Sequence, residues 1–350
     1  MKRCWVVVGL CGLLLGPIVE AQSQEKNAAC LACHDDPTLT TSLSSGESLV
    51  LHVDPQQFAG SVHGAQLSCT DCHDVALESH PSGTVAFATR RQYALAMYEN
   101  CKRCHFSNYT KLLESVHYDM LAQGALHAPV CVDCHGAHDV ERPAADRQGI
   151  SRRCATCHHT IYATYATSVH GAALLGDNNQ DVPVCTDCHT AHNIQDPRSA
   201  QFHLESPEVC GRCHANAPLM AKYGLSTDVL RTYLNDFHGV SVQLHRQEGA
   251  PESTAVTAGC IDCHGVHNIS RADAPNSTVM KTNLVQQCRR CHPEASEHFP
   301  DAWLSHYEPT PTKAPLVYAV KLFYRIFIPF IIGGLALHIL LHIWRAIVNR

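Results

Sequence analysis

The stretch Cys131-Val132-Asp133-Cys134-His135-Gly136-Ala137-His138 contains the pattern that decides the architecture of this chain of 350 residues. Two cysteines separated by two residues and followed at once by a histidine occur nine times, and together they use eighteen of the twenty cysteines. A recurrence this regular does not arise by chance. The nine motifs begin at Cys30, Cys69, Cys101, Cys131, Cys154, Cys185, Cys210, Cys260 and Cys288.

Cys-x-x-Cys-His is the spacing at which c-type haem is covalently attached. The two thiols add to the vinyl groups of one porphyrin, and the motif histidine binds the iron from one face as the proximal ligand. A disulfide framework does not require that histidine, zinc ribbons do not repeat it at a fixed offset, and thioredoxin-like motifs come singly. The sequence therefore predicts nine haem c groups. The attaching cysteines are Cys30, Cys33, Cys69, Cys72, Cys101, Cys104, Cys131, Cys134, Cys154, Cys157, Cys185, Cys188, Cys210, Cys213, Cys260, Cys263, Cys288 and Cys291. The proximal ligands are His34, His73, His105, His135, His158, His189, His214, His264 and His292.

The residues around the motifs recur as well and divide them into two classes. A first-class motif is followed by a histidine in a Ser-Val-His-Gly-like context, as at 168–171. A second-class motif has Asp between its cysteines and a trailing histidine three residues after the proximal one, as at 185–192. The haem domain, residues 22–308, is thus predicted to contain four two-haem units and a final half unit. The first-class context histidines are His63, His117, His170, His238 and His306, and the trailing histidines are His138, His192 and His267, with His80 as an irregular counterpart after Cys69.

Nine haems have eighteen axial positions, and these two sets supply a second, distal histidine for every iron. A trailing histidine such as His138 lies too close to His135 to reach round to the opposite face of the same haem, so we expect it to bind a neighbouring haem. The same holds for His192 and His267, and the haems would then be linked into a close-packed chain. The alternative is that these are surface or supporting histidines. Substitutes for His80 are His52, His127, His203 and His298, whereas His159 follows His158 too closely to be a ligand and His245 is expected to be solvated.

The two ends of the chain predict export and anchoring. Residues 1–21 have basic residues, an apolar run and a small-residue cleavage site, which is the pattern of a secretory signal peptide. Ile326–Trp344 has no formally charged side chain over nineteen residues and is predicted to span the inner membrane, although a buried soluble helix is the alternative. The predicted domains are therefore the signal peptide, the periplasmic haem domain, a Pro-rich linker over 309–315 that we expect to be extended, and an anchor with a short cytoplasmic tail over 316–350.

The expected fold is mainly α with long irregular loops: a haem-packed body plus one C-terminal transmembrane helix. Apolar runs of period two are scarce, so that residues 48–53 predict at best a short hairpin arm. The formal net charge of −6 argues against nucleic acid as a partner.

The chain resembles the periplasmic multihaem c-type cytochromes built on doubled Cys-x-x-Cys-His units. The likeness covers residues 30–306 and depends on the nine motifs, on Ser-Val-His-Gly at 61–64 and 168–171, and on Cys-His-x-x-His at 134–138, 188–192 and 263–267. Such proteins include electron carriers, quinol-linked membrane cytochromes and reductases of nitrogen or sulfur oxyanions. The well-known quinol-oxidising members have an amino-terminal anchor, from which this chain departs.

Two histidines lie four residues apart in the C-terminal helix, His338 and His342. This segment resembles the opening helix of a membrane b-type cytochrome. One helix cannot place both histidines on opposite faces of one iron, so a haem b would need a partner subunit or a second copy. A contact with quinone and simple packing in a helix interface are the alternatives.

Two functions follow from the sequence. A conduit with bis-histidine haems would relay electrons between a membrane quinol pool or b-type cytochrome and a periplasmic or outer-membrane redox protein. An oxidoreductase would reduce a nitrogen or sulfur oxyanion at one open haem, for which the haem at Cys69 is the candidate. Because a complete set of axial ligands leaves no open iron, the ligand count favours the conduit, and no catalytic residue is predicted.

Overall fold

A computed structural model describes residues 26–75, 80, 86–142, 146–247, 257–302 and 306–349. The predicted signal peptide lies outside the described residues. The described part is mainly helical with irregular loops, as predicted. Its sheet is one antiparallel hairpin, in which Thr40–Ser42 pairs with Ser48–Val50 and Thr40 lies opposite Val50. The hairpin arm expected from residue 48 is therefore present.

Most helices are one to four turns long, which follows from the motif density of the sequence. A helical segment over residues 26–34 leads into the first motif. The other helices are Pro55–Gly60, Cys69–Cys72, Arg90–Cys104, Phe106–Leu112, Val116–Ala122, Cys131–His135, Arg147–Ala155, His159–Ala166, Val169–Asp177, Cys185–His189, Ala200–His214, Ala217–Ala221, Val229–Leu234, Phe237–Gln247, Cys260–His264, Lys281–Arg289, the 3₁₀ turn Phe299–Ala302 and the long helix Pro315–Val348.

The chain divides into two compact lobes. The N-terminal lobe comprises Met1–Phe202 together with His267–Ile269, and the C-terminal lobe comprises His203–Val266 together with Ser270–Arg350.

The polar residue two positions before His63, His117, His170 and His238 is a helix or turn cap. The Ser168 hydroxyl accepts a hydrogen bond from the backbone N–H of Gly171 at 3.1 Å, and the Asp236 carboxylate accepts one from the N–H of Gly239 at 2.9 Å. Such caps satisfy amides that have no partner within the first turn. The Ser in the Ser-Val-His pattern is thus explained by where the histidine-bearing helix begins.

The glycine that follows the histidine allows two segments to pack closely. A Cβ on Gly171 would lie 1.9 Å from the carbonyl oxygen of Tyr165, and one on Gly239 would lie 2.0 Å from that of Tyr233. Gly64 has the same relation to Phe58, also at 1.9 Å. In each case a side chain would force the histidine-bearing segment away from the segment before it.

Each lobe has a small apolar cluster built from equivalent positions. Tyr165, Leu174 and Val184 form it in the N-terminal lobe, where the Tyr165 hydroxyl donates to the Pro183 carbonyl at 2.6 Å. Because Val184 immediately precedes Cys185, the cluster fixes a histidine-bearing helix against a second-class motif.

The C-terminal lobe repeats this arrangement with Leu204, Tyr233 and Val242, and the Tyr233 hydroxyl donates to the Ala258 carbonyl at 2.8 Å. Ala258 stands two residues before Cys260, as Pro183 stands two residues before Cys185. Both clusters are small for chain lengths of this order, which agrees with a body in which haem faces supply apolar surface.

The long helix Pro315–Val348 has 34 residues and contains an 18-residue stretch with a mean hydropathy of 2.3, and its apolar side chains are exposed. Among the described residues it is the helix whose length and composition suffice to cross a membrane. The expectation of an extended linker before it is wrong. Thr310 and Lys313 exchange backbone hydrogen bonds of 2.7 and 3.1 Å, because Pro311 is well placed as the second residue of a tight turn.

We predict that Gly171→Ala destabilises the haem-loaded protein by about 1–3 kcal/mol, since the added methyl group meets a backbone carbonyl that has little room to move. Thermal unfolding followed by circular dichroism would measure the loss.

Gly176→Ala is the matched control. It lies in the same helix, Val169–Asp177, and its added Cβ meets nothing within 4 Å. It should be neutral or stabilise the protein by up to about 1 kcal/mol through helix propensity. Equal effects of the two substitutions would contradict the close packing at Gly171.

Candidate haem centres

The Asp of each second-class motif caps the one-turn helix that the motif forms. Asp187 accepts a hydrogen bond from the backbone N–H of Val184 at 2.8 Å, and Asp133 accepts one from Val130 at 2.6 Å. Asp71 and Asp262 accept the corresponding bonds from Ser68 and Gly259, both at 2.7 Å. The Asp that defines this class therefore starts the helix that presents both cysteines and the proximal histidine.

Three of these carboxylates also contact a basic side chain in the helix that ends in the preceding first-class motif. The N···O distances are 2.8 Å for Arg91 and Asp133, 2.8 Å for Arg147 and Asp187, and 2.7 Å for His203 and Asp262. His203, a predicted substitute for His80, is thus engaged by a carboxylate. Its hydrogen bond to Asp262 raises the pKa of His203 above its usual value.

The motif histidines lie opposite other histidines at a nearly constant separation. In eight pairs the ring centroids are between 5.9 and 6.4 Å apart. Two imidazoles bound at roughly 2 Å to opposite faces of one metal ion place their ring centroids about 6 Å apart. The pairs therefore fit one iron each. They are His34–His80, His63–His105, His73–His138, His117–His158, His135–His192, His189–His267, His238–His292 and His264–His306.

Each of these pairs combines one predicted proximal with one predicted distal histidine, and the partner always comes from another motif's segment. His63, which follows the first motif, lies against His105 of the third motif. His138, which trails the fourth motif, lies against His73 of the second. The first-class motifs at Cys101, Cys154 and Cys288 are therefore paired with a histidine from the preceding unit, whereas the second-class motifs are paired with one from the following unit. His170 and His214 stay predicted ligands.

At each end of the series the regular partner is missing, and another predicted distal histidine lies in its place. His34 of the first motif lies against His80, at 6.0 Å with an interplanar angle of 19°. His264 of the last second-class motif lies against His306, at 6.1 Å and 21°. The irregular position of His80 in the sequence thus reflects a role at the start of the series, while the motif at Cys69 has His138 opposite its own histidine.

Thiols of neighbouring motifs are also in contact. Cys101 hydrogen-bonds with Cys131 and Cys154 hydrogen-bonds with Cys185, and the same contact joins Cys30 to Cys69 and Cys210 to Cys260. Porphyrins attached to thiols in contact are necessarily close to one another. The first-class and second-class motifs of one unit would therefore carry adjacent haems.

Backbone contacts fix the two kinds of distal histidine side by side. The N–H of Val62, beside His63, donates to the carbonyl of Val140 at 2.9 Å. Val116 donates to Ile194, and Val169 donates to Ile269, both at 2.8 Å. In each case the acceptor follows a trailing histidine by two residues, so that the two histidine-bearing segments form a repeated joint.

Arginines join consecutive motifs through backbone carbonyls. Arg103 donates to the carbonyl of Asp71 at 2.7 Å, and Arg153 donates to that of Cys134 at 2.9 Å. Neither these arginines nor the pairs between Asp and a basic residue were predicted from the sequence. For Arg103 and Arg153 the available signal was a basic residue in, or directly before, a first-class motif.

The electrostatics suit imidazoles that bind metal. Burial lowers the pKa of His73, His138 and His189, and the neutral ring is the form that coordinates iron. The Nδ1 atom of His34 lies 2.6 Å from the carbonyl oxygen of Leu51. Such a bond fixes the ring and leaves Nε2 for the metal.

The remaining singled-out histidines have other surroundings. His127 and His159 are exposed, and His298 is exposed and lies 3.3 Å from Asp301. His52 lines a cavity of about 370 Å³ beside His138. The expectation that His245 is solvated is wrong for its Nδ1, which is buried without a hydrogen-bond partner among the described residues. His338 and His342 lie on one face of the long helix, with ring centroids 4.6 Å apart.

Comparison with known families found a match in the middle of the chain. Residues 125–215 match the family model described as cytochrome c3. This segment is similar to the multihaem cytochromes of the c3 type. The match includes the motifs at Cys131, Cys154, Cys185 and Cys210, and it implies c-type haem for this segment. The search of curated proteins and the search of solved structures found no match.

We predict that His203→Gln destabilises the protein by about 1 kcal/mol near pH 5.5, because it removes a charged hydrogen bond to Asp262. The folded-state pKa of His203 lies above the unfolded value of about 6.5, so the charged pair contributes fully below that pH. Its contribution is lost as the pH rises through the folded-state pKa. Urea unfolding at about pH 5.5 and about pH 8.5 should show the smaller effect at the higher pH.

Arg147→Gln tests the same position with a partner that stays charged. Its cost should not change between the two pH values, because arginine does not titrate in this range. A pH-independent cost for His203→Gln would show that protonation of His203 does not contribute to stability.

Proposed function

We propose that the protein is an electron conduit of nine haem c groups, each iron bound by two histidines, anchored to the inner membrane with its haem domain in the periplasm. The observation that supports this most directly is the set of eight histidine pairs with nearly constant spacing. Bis-histidine iron supplies reversible one-electron transfer at a potential set by its ligands and surroundings. The polypeptide would supply the rest: the spacing of the haems, the second ligand of each iron and the membrane anchor.

The polypeptide would hold neighbouring haems close and keep their irons closed to substrate. Thiol contacts between the motifs of one unit bring the attachment points together, and the displaced histidine pairs join one unit to the next. Each iron would then have protein nitrogen on both faces. Reduction of a nitrogen or sulfur oxyanion needs an open position instead, and the pairing of His73 with His138 weighs against the motif at Cys69 as that site.

The long helix supports the anchoring part of the proposal. Its 34 residues correspond to about 50 Å at 1.5 Å per residue, which exceeds the hydrocarbon thickness of a bilayer. The partner there would be the quinol pool or a membrane b-type cytochrome. His338 and His342 would contact quinone or bind a haem b completed by a partner subunit or a second copy, since one helix face cannot supply both sides of one iron.

At the other end of the conduit the partner would be a periplasmic or outer-membrane redox protein. The formal charge of −6, to which haem propionates would add, suits a partner with a basic surface.

We predict that purified protein contains nine haem c per chain and that its ferric spectrum is wholly low-spin, with no carbon monoxide binding after reduction. In His138→Ala the iron that His73 binds should lose its second ligand. The variant should show one high-spin haem that binds carbon monoxide, with the haem content unchanged in a pyridine haemochrome assay.

His127→Ala is the control, because His127 is exposed and belongs to none of the eight pairs. It should remain low-spin. If His138→Ala stays wholly low-spin, then His138 is not a haem ligand. A high-spin signal in the unmodified protein would favour the reductase.

We predict that a chain ending at Lys313 is released from membranes, because it lacks the apolar helix. It should appear in the periplasmic fraction with the haem content of the full chain, whereas the full chain should need detergent. Ile339→Leu, which keeps the length and hydropathy of the helix, should stay with the membrane. Sedimentation of the shortened chain with membranes would contradict anchoring by this helix.

A further inference from the structure

Glu308 is an ionic link between the long helix and the rest of the C-terminal lobe. One carboxylate oxygen lies 2.6 Å from the guanidinium of Arg231, in the helix Val229–Leu234. The other lies 2.6 Å from the ammonium group of Lys321, in the second turn of Pro315–Val348. This one side chain therefore contacts both elements.

His306 lies two residues before Glu308. Two residues of chain span at most about 7 Å even when fully extended, so the Cα atoms of the two residues are close whatever the conformation between them. The ring of His306 lies opposite His264 at 6.1 Å. The histidine pair of the Cys260 motif is therefore held next to the start of the long helix.

The short segment between His306 and the helix is compact. The ammonium group of Lys313 lies 3.7 Å from the centroid of the Tyr307 ring, and Thr310 and Lys313 close a turn through two backbone hydrogen bonds. A cation held over an aromatic face adds to the stability of such a fold. The connection is thus a folded turn that keeps its two ends near each other.

The same link lies at the level of the predicted membrane surface. Lys321 precedes the uncharged stretch, which starts at Ile326, by five residues, or about 8 Å of helix. Lys313, Lys321 and Arg325 all precede that stretch. Charged side chains at this distance from an apolar span lie in the interfacial region, so the Glu308–Lys321 pair would lie there too.

The last motif along the chain, at Cys288, is connected differently. Its histidine, His292, lies opposite His238 at 6.4 Å and beside the ring of Phe299 at 5.1 Å. His238 belongs to the helix Phe237–Gln247. Neither ligand is in the segment that runs into the long helix, although this motif is the nearest one in sequence.

We propose that the site formed by His264 and His306, rather than the site of the last motif, is where the protein exchanges electrons with a quinol in the membrane. The inference rests on the proposed function and adds the point of exchange to it. A quinol that becomes a quinone gives up two electrons and two protons. The electrons would reduce the iron held by His264 and His306 one at a time, the first being passed to a neighbouring haem before the second arrives, and the protons would pass to water at the membrane surface. The segment His306–Glu308 would be the positioning element.

The first experiment compares His306→Met with the matched control His238→Met, both in the full haem-loaded chain in liposomes. Methionine in place of histidine raises the potential of the haem it binds, so each variant should shift one haem in a spectroelectrochemical titration. His306→Met should change the rate at which a lipid-soluble naphthoquinol reduces the protein at least severalfold more than His238→Met does. The dithionite rate of each variant is the reference for any general effect of the changed ligand. An equal or larger change of the quinol rate in His238→Met would overturn the proposal.

A second measurement places the site without using quinol. Lipids with a gadolinium chelate on the headgroup accelerate the relaxation of nearby paramagnetic haems. The low-spin signal altered by His306→Met should be relaxed more strongly than the one altered by His238→Met. The reverse order would overturn the proposal. If the natural protein does not react with quinol but this order holds, then the quinol-linked function fails while the placement of the site stands.

Glu308→Gln tests the positioning element without touching a ligand. It should weaken the relaxation effect on the His306 haem and slow quinol reduction severalfold, with the haem content and the potentials unchanged. Arg271→Gln, which breaks the exposed pair with Asp273 in the same lobe, is the control and should change neither. Indistinguishable behaviour of the two variants would contradict the role of Glu308.

Discussion

The structure depends on the pairing of histidines that come from different parts of the chain at a separation suited to one metal ion. In seven of the eight pairs the motif that would carry the porphyrin supplies one imidazole, and a segment from a neighbouring unit supplies the other; in the eighth, His34–His80, both come from the first unit. A unit of two motifs is therefore incomplete by itself. The coordination bonds would join each unit to its neighbours, as disulfides join the parts of a small secreted domain.

The local structure follows from the need to hold these imidazoles in place. Ser168 and Asp236 begin the helices that carry context histidines, and glycines at 171 and 239 let those helices approach the preceding segment. The Asp of each second-class motif begins the helix that presents the thiols. Apolar packing contributes less to the stability of the fold, because the apolar cluster of each lobe has only three buried side chains among the described residues. Metal coordination and covalent attachment would replace much of the ordinary core.

At the C-terminal end, one of these histidine pairs lies close along the chain to the long apolar helix. No second-class motif follows the one at Cys260, so no trailing histidine is left to pair with His264. His306 lies opposite His264 instead. The next few residues lead to Glu308 and to the long helix. The predicted ligand that completes the series is thus also the one closest along the chain to the predicted anchor.

The number of motifs, their two classes, the set of candidate ligands, the mainly helical fold and the long apolar helix can all be predicted from the amino-acid sequence. These are local properties, visible as spacing and composition. The sequence did not predict the turn at Thr310, because three prolines suggested an extended segment while a hydroxyl and two backbone groups close the chain there. Nor did it explain the Asp of the second-class motifs, since the partner of Asp187 is Arg147, 40 residues earlier. Which histidine faces which became clear only from the folded arrangement of the chain. Spacing excludes a trailing histidine from its own motif because three residues cannot reach round a porphyrin, but the choice among the other motifs depends on how separate units pack together.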